Sequence, residues 1–177
     1  MSHAIRRATA DDAGALAALA AVTFPLACPP STSPEDIAAH LAGTLSEAHF
    51  SRYLTDPDTT ILVLDSDGAL NGYSLLVNRP ASDPDVAAAL TLLPSVELSK
   101  CYVHPEHHGL GAAAELMKAS LRAAAEAGGA GVWLGVNSQN ARAVRFYEKS
   151  GFRKVGTKTF RLGTAVEHDF VMERSLP

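Results

Sequence analysis

The stretch Val103-His104-Pro105-Glu106-His107-His108-Gly109-Leu110-Gly111-Ala112-Ala113-Ala114 holds the densest set of residues with chemical potential in this chain. It joins a strand-like run to a helix-like run and is rich in residues with little or no side chain. Small residues let backbone N–H groups approach an anion, and a helix N-terminus adds a favourable dipole. The chemistry this spacing points to is a phosphate cradle. His104, His107 and His108 invite a metal reading, but no further histidine or acid cluster accompanies them, so no metal site is expected. Cys101, just upstream, reads as a small strand hydrophobe rather than a nucleophile.

Two frames compete for the loop. Gly109, Gly111 and Ala114 fit the G-x-G-x-x-G/A dinucleotide pattern. That pattern wants a turn directly after the strand and an acid at the end of the next one. Here Pro105 and its neighbours intervene before Gly109, and the next strand ends Val136-Asn137 without an acid. No Gly-Lys-Ser/Thr is present, which excludes a P-loop. In the second frame Val103, Pro105, His108, Gly111 and Ala113 are the marked positions, followed by Leu116 and Met117. This frame resembles motif A of the Gcn5-related N-acetyltransferase (GNAT) superfamily, V-x-P-x-x-Q/R-x-x-G-x-G/A, with His108 departing from Q/R. Further on, Asn140-Ala141-Arg142-Ala143-Val144-Arg145-Phe146-Tyr147-Glu148-Lys149-Ser150-Gly151-Phe152 is similar to the N-x-x-A-x-x-F-Y-E-K-x-G-F segment of the same superfamily. The final third resembles polyamine (spermine/spermidine) N-acetyltransferases within it.

The resemblance implies acetyl transfer from acetyl-CoA to a primary amine by direct attack, a polyamine-like small amine being favoured. It implies a pyrophosphate held on backbone N–H groups of His108, Gly109, Leu110, Gly111, Ala112 and Ala113. It implies a pantetheine arm along Cys101, Tyr102 and Val103, with Asn140 bonding the arm and Ala143 and Phe146 lining it. A protonated His108 would add charge at the phosphate. An amine with a pKa of ~10 arrives as a cation and must lose a proton before it can attack. Glu97 is the candidate base and Tyr147, matching the family's tyrosine, the acid that protonates the leaving sulfur. Strand alternation puts Glu97, Ser99, Cys101 and Val103 on one face, and Val96, Leu98, Lys100 and Tyr102 on the other. The acceptor pocket falls on Phe24–Leu45 and Arg161–Asp169, with Glu97, Glu35, Asp36 and Glu167 as its acids. Alternatives from other classes are an acetyl-CoA-binding GNAT-fold module with a regulatory role and, more distantly, a dinucleotide oxidoreductase.

The elements that must position these residues alternate between strand and helix. Ala4–Arg7 reads as a strand, Asp11–Ala21 as a helix capped at Thr9, and Phe24–Pro30 as irregular. Ser33-Pro34-Glu35-Asp36 starts a second helix carrying Ile37, Leu41 and Leu45. Thr60–Leu64 and Leu70–Val77 are strands joined by a hairpin turn at Asp65–Gly68. Pro80–Pro94 is a loop with one helical turn, and Val96–Val103 is a strand. Ala112–Ala127 is an alanine-rich helix ended by Gly128-Gly129, and Val132–Val136 is a strand apolar on both faces. Asn140–Lys149 is a helix and Phe152–Phe160 and Glu167–Met172 are the last strands. Arg142, Arg145 and Lys149 fall on an outer face and read as solvated, while Trp133 and Phe152 read as core. The expected fold is the α/β GNAT fold. It has a mixed, mostly antiparallel, twisted sheet of about seven strands, with helices on both faces.

Length and charge bound the rest. A chain of 177 residues suits one domain, 1–177, with a core that needs no disulfide or metal. Fifteen Lys+Arg against nineteen Asp+Glu give −4, without the basic footprint of a nucleic-acid binder. No run of ~18 consecutive apolar residues and no signal peptide are visible, so no membrane is expected. The only cysteines, Cys28 and Cys101, form no framework, which points to a reducing cytoplasm. A homodimer is left open.

Overall fold

A computed structural model describes residues 3–109 and 111–177 of the chain. Seven strands form one sheet: β1 (Ala4–Arg7), β2 (Thr59–Ser66), β3 (Ala69–Val77), β4 (Ser95–Val103), β5 (Gly131–Asn137), β6 (Arg153–Leu162) and β7 (Ala165–Ser175). Their spatial order is β1-β2-β3-β4-β5-β7-β6. Every pairing is antiparallel except β4–β5. That pair is parallel because a helix crosses over between the two strands. The helices are α1 (Ala13–Ala27), α2 (Pro34–Thr44), α3 (Glu47–Thr55), α4 (Pro84–Ala89), α5 (Ala112–Glu126) and α6 (Ala141–Lys149).

Two apolar layers sandwich the sheet. On one side Leu16, Leu19, Phe24 and Phe50 from α1 and α3 meet Ile61, Val63, Tyr73 and Leu75. On the other, Leu116, Met117 and Ala124 of α5 meet Leu62, Leu64, Leu76 and Val132. β2 therefore contributes successive residues to opposite layers, and an apolar run buried on both faces is the result.

Three departures from the expected elements have physical causes. α1 does not stop at Ala21 but runs through Pro25 to Ala27, so Phe24 is helical and buried. Proline forfeits one backbone hydrogen bond, a loss that matters least in a last turn. A further helix, α3, follows Ser46, whose hydroxyl accepts the His49 N–H at 3.3 Å; Phe50 anchors the helix in the core. β7 does not stop at Met172 but runs to Ser175, because Glu173, Arg174 and Ser175 pair with Trp133, Val132 and Gly131 of β5. Residues 10–27 are long and apolar enough to match a membrane span by composition. Ala13, Leu16, Leu19, Ala20 and Phe24 are instead buried within the fold.

One irregularity decides the site. Leu76 pairs with Leu98 and Leu75 with Lys100, so Ser99 has no partner on β3 and forms a bulge. A bulge shifts side-chain parity by one. Val96, Leu98 and Val103 thus share the α5 layer, with Cys101 packed against it, while Tyr102 packs on the α1 layer. The uniform alternation expected for 96–103 is corrected: Glu97 lies on the face of Lys100 and Tyr102, opposite Cys101.

Candidate active site

β4 and β5 are paired over only Ser95–Glu97 with Gly131–Trp133, and diverge beyond. β5 stays bonded to β7 as far as Asn137. The β4 edge from Leu98 to Val103 therefore has no strand partner on that side. A cavity of ≈ 620 Å³ fills the gap and is lined from Glu97 through Val103.

At one end of the cavity α5 begins. Its N-cap, Gly111, has φ 78° and no side chain caps the turn. Gly109 has φ 79°, and a Cβ at either glycine would meet no atom within 4 Å. Free amides, an axial dipole and open space on the glycine side make an anion cradle. Leu110 lies outside the described residues. His108 is held rather than free. Its Nε2 donates to the Val103 carbonyl at 2.8 Å, and its Nδ1 accepts from Arg142 Nη2 at 3.1 Å. One ring nitrogen thus faces a carbonyl and the other a guanidinium. Arg142 also lines the cavity and brings positive charge to this end. Arg142 sits in the first turn of α6, where the dipole disfavours a cation.

Asn140 is the N-cap of α6, and its Oδ1 accepts from Ala143 N at 3.1 Å. Its oxygen thus holds the first turn of the helix, while its amide N–H groups make no hydrogen bond among the described residues. Ala143, Phe146 and Tyr147 complete that wall. Tyr147 stacks edge-on between Phe146 and Phe152 at 5.5 and 5.9 Å. Burial pushes its phenol well above the usual tyrosine range. Burial likewise pushes the Cys101 thiol up to about 12, so it stays protonated.

The other end is built from α1, α2, β6 and β7. His40 stacks on Phe24 at 4.4 Å and meets Phe160 edge-on at 5.6 Å. Burial, aided by the nearby Lys100, lowers its pKa and keeps it neutral. Glu97, Lys100, Lys158, Glu167 and Asp169 supply the charges. Burial raises the Glu97 pKa against the opposing pull of Lys100, Lys158 and Arg79. Lys158 is paired with Asp169 at 3.5 Å and lies across Gly135, where a Cβ would come within 2.5 Å of its Cε. Glu35 and Asp36 do not line the cavity; Asp36 packs against Gly163 instead. Lys100, Lys158, His40 and Asp169 were not singled out in the sequence. Arg142, read there as solvated, lines the cavity; a cation at an unfavourable helix end was its signal.

Residues 28–168 match the family described as the acetyltransferase (GNAT) domain. The chain belongs to the GNAT acetyltransferase family. This GNAT chain is 50% identical over 165 residues to an uncharacterized N-acetyltransferase of Mycobacterium tuberculosis, covering 93% of this chain and 98% of that one. A further relative in Lactobacillus delbrueckii, also an uncharacterized N-acetyltransferase, is 28% identical over 144 residues, or 81% and 80% of the two chains. Among solved structures the fold is similar to the PaiA N-acetyltransferase of Thermoplasma acidophilum in complex with coenzyme A. The TM-score is 0.78 at 21% identity, over 99% of both chains. It is also similar to the ribosomal-protein-S18-alanine N-acetyltransferase of Escherichia coli. There the TM-score is 0.70 at 16% identity, over 99% of this chain and 94% of that one. The seven-stranded mixed sheet with helices on both faces is the GNAT fold. The protein is an N-acetyltransferase with acetyl-CoA as cosubstrate.

Proposed function

We propose that the whole chain, 1–177, works as one acetyltransferase domain, acting on the primary amine of a small molecule by direct attack. The observation that carries this is the splayed β4–β5 gap, with an uncapped helix N-terminus at one end and Glu97 at the other. Bound acetyl-CoA supplies an acetyl group activated as a thioester. The amides of Gly109, Gly111, Ala112 and Ala113, with Arg142, hold its pyrophosphate. His108 positions Arg142. The unpaired backbone of Cys101, Tyr102 and Val103 takes the arm like an added strand, with Asn140 Nδ2, Ala143 and Phe146 along the other wall.

Glu97 takes the proton from the incoming ammonium. Its raised pKa brings it nearer that of an amine than an exposed carboxylate would be, which eases the transfer. Tyr147 gives a proton to the leaving sulfur; its phenol stays protonated across the working range. Cys101, a neutral thiol, supports attack without an acyl-enzyme.

A polyamine-like acceptor rests on the resemblance of the final third alone; Glu97, in the cavity, suits the ammonium of any primary amine. The test is thiol release from acetyl-CoA over a panel of amines, with mass identification of the acetylated product. Release with one amine class supports the reading. Acetyl-CoA binding without release from any amine would instead favour a binding module.

A further inference from the structure

The acceptor end of the cavity is lined by five charged side chains, and their partners sort them into two groups. Lys158 is tied to Asp169 at 3.5 Å. Glu167 accepts from Asn137 Nδ2 at 3.2 Å. Glu97 and Lys100 are left over: among the described residues neither makes an ion pair, and Lys100 Nζ has only the Ser99 hydroxyl at 3.4 Å. The bulge at Ser99 turns both onto one face of β4, with roughly 10 Å of strand between their Cα atoms. Both side chains are only half-exposed and both line the cavity. Burial lowers the Lys100 pKa while Glu97 pulls it back up, and an anion supplied by a ligand beside Lys100 favours its charged form.

We propose, resting on the acetyl-transfer reading above, that the acceptor is an amine that also carries a carboxylate, of the α-amino-acid kind. Its carboxylate is held by Lys100 while its ammonium faces Glu97. The two unpaired charges on β4 are the complement of a zwitterion. A polyamine would instead bring a second cation toward Lys100, and like charges facing each other in a half-buried site select against a partner. The aromatic wall of Phe24, His40 and Phe160 gives the remainder of such an acceptor an apolar place to lie. Lys100 is in this reading a specificity-determining residue. It moves no proton.

The experiment compares matched amines that differ by one carboxylate: phenylalanine with phenethylamine, and lysine with cadaverine. Phenylalaninamide is added to separate charge from carbonyl, and spermidine as the cationic extreme. In kcat/KM the carboxylate-bearing member is expected to lead by roughly tenfold or more, about one charge-assisted hydrogen bond. Lys100→Met should bring the ratio to near one, mainly through KM, and Lys100→Arg should restore part of it. A second readout does not need turnover. Trp133, the only tryptophan, is the register partner of Glu97 and lines with Glu97 and Lys158 a smaller cavity beside the main one, so its fluorescence reports changes in the surroundings of Glu97. Wild-type fluorescence should respond to phenylalanine at lower concentration than to phenethylamine.

Turnover that is equal for the two, or best with spermidine, overturns the proposal and leaves acetyl transfer standing. A carboxylate-selective fluorescence response without any thiol release overturns acetyl transfer to this class and keeps the anion site. Neither signal overturns both.

Discussion

In the reaction we propose, Tyr147 and Glu97 divide the proton work between them, and each role can be tested by removing one group. Tyr147→Phe keeps the ring between Phe146 and Phe152 and should lower kcat by roughly 10²-fold, with coenzyme affinity little changed. Calorimetric titration and steady-state rates separate the two effects. For Glu97 the sign follows from burial. The carboxyl must be ionised to accept a proton, and its pKa is raised. Activity should therefore climb with pH through a step above the ordinary carboxylate range. Lys100, Lys158 and Arg79 surround it and hold that step lower than burial alone would put it. Glu97→Gln should flatten this acid limb in a pH–rate profile; an unchanged limb would assign the step elsewhere. Both were candidates in the sequence, Tyr147 within a local motif and Glu97 by resemblance, although the bulge puts Glu97 on the face opposite Cys101. Lys100 was not. Its direction depends on a bulge whose only sign is a shifted register against β3, a long-range fact absent from Val96–Val103 itself.

At the scale of elements, the start of α5 and the start of α6 act as one unit through the contact of His108 with Arg142. Gly111→Glu should abolish coenzyme binding in calorimetry, since it puts a carboxylate and bulk in the open space on the glycine side. Arg142→Ala should weaken binding about tenfold, with the loss shrinking at high salt as screening removes the attraction. The glycine turn, α5 and the capped α6 could be read in advance, because turn and cap chemistry is written in adjacent residues. The extension of α1 through Pro25 was masked by a helix breaker that a last turn tolerates. The start of α3 did carry a signal, Ser46 followed by Glu47, but its helix is short and held mainly by burial of Phe50.

In the molecule as a whole, the apolar interior leaves some polar atoms unpartnered among the described residues, Tyr73 and Trp133 among them. Tyr73 is fully buried between Phe50 and Tyr102, and its hydroxyl finds no partner among the described residues. Tyr73→Phe removes that group without changing the ring. It should stabilise the fold by about 1 kcal/mol, a rise of ~2–4 °C in Tm by calorimetry. Fold class was legible because seven strand signals alternate with helix signals over a length that suits one sheet. The strand order was not, since nothing local to Glu167–Met172 says that β7 inserts between β5 and β6.

A sheet stitched across its middle by three parallel rungs, Ser95–Glu97 against Gly131–Trp133, is weakest along that line. The antiparallel leaves β1–β4 and β5–β7 are each joined over longer runs. The protein should then breathe like a book opening at its spine, with α5 as the binding that keeps the covers together. Amides of Leu98–Val103 and Leu134–Asn137 should exchange with solvent far faster than those of β2, which lies deep in one leaf. A ligand lodged in the gap closes the book, so the same amides should slow on adding coenzyme while β2 changes little. Exchange mapped by mass spectrometry reads this directly. Uniform slowing across both leaves would mean that the spine is no weaker than the pages.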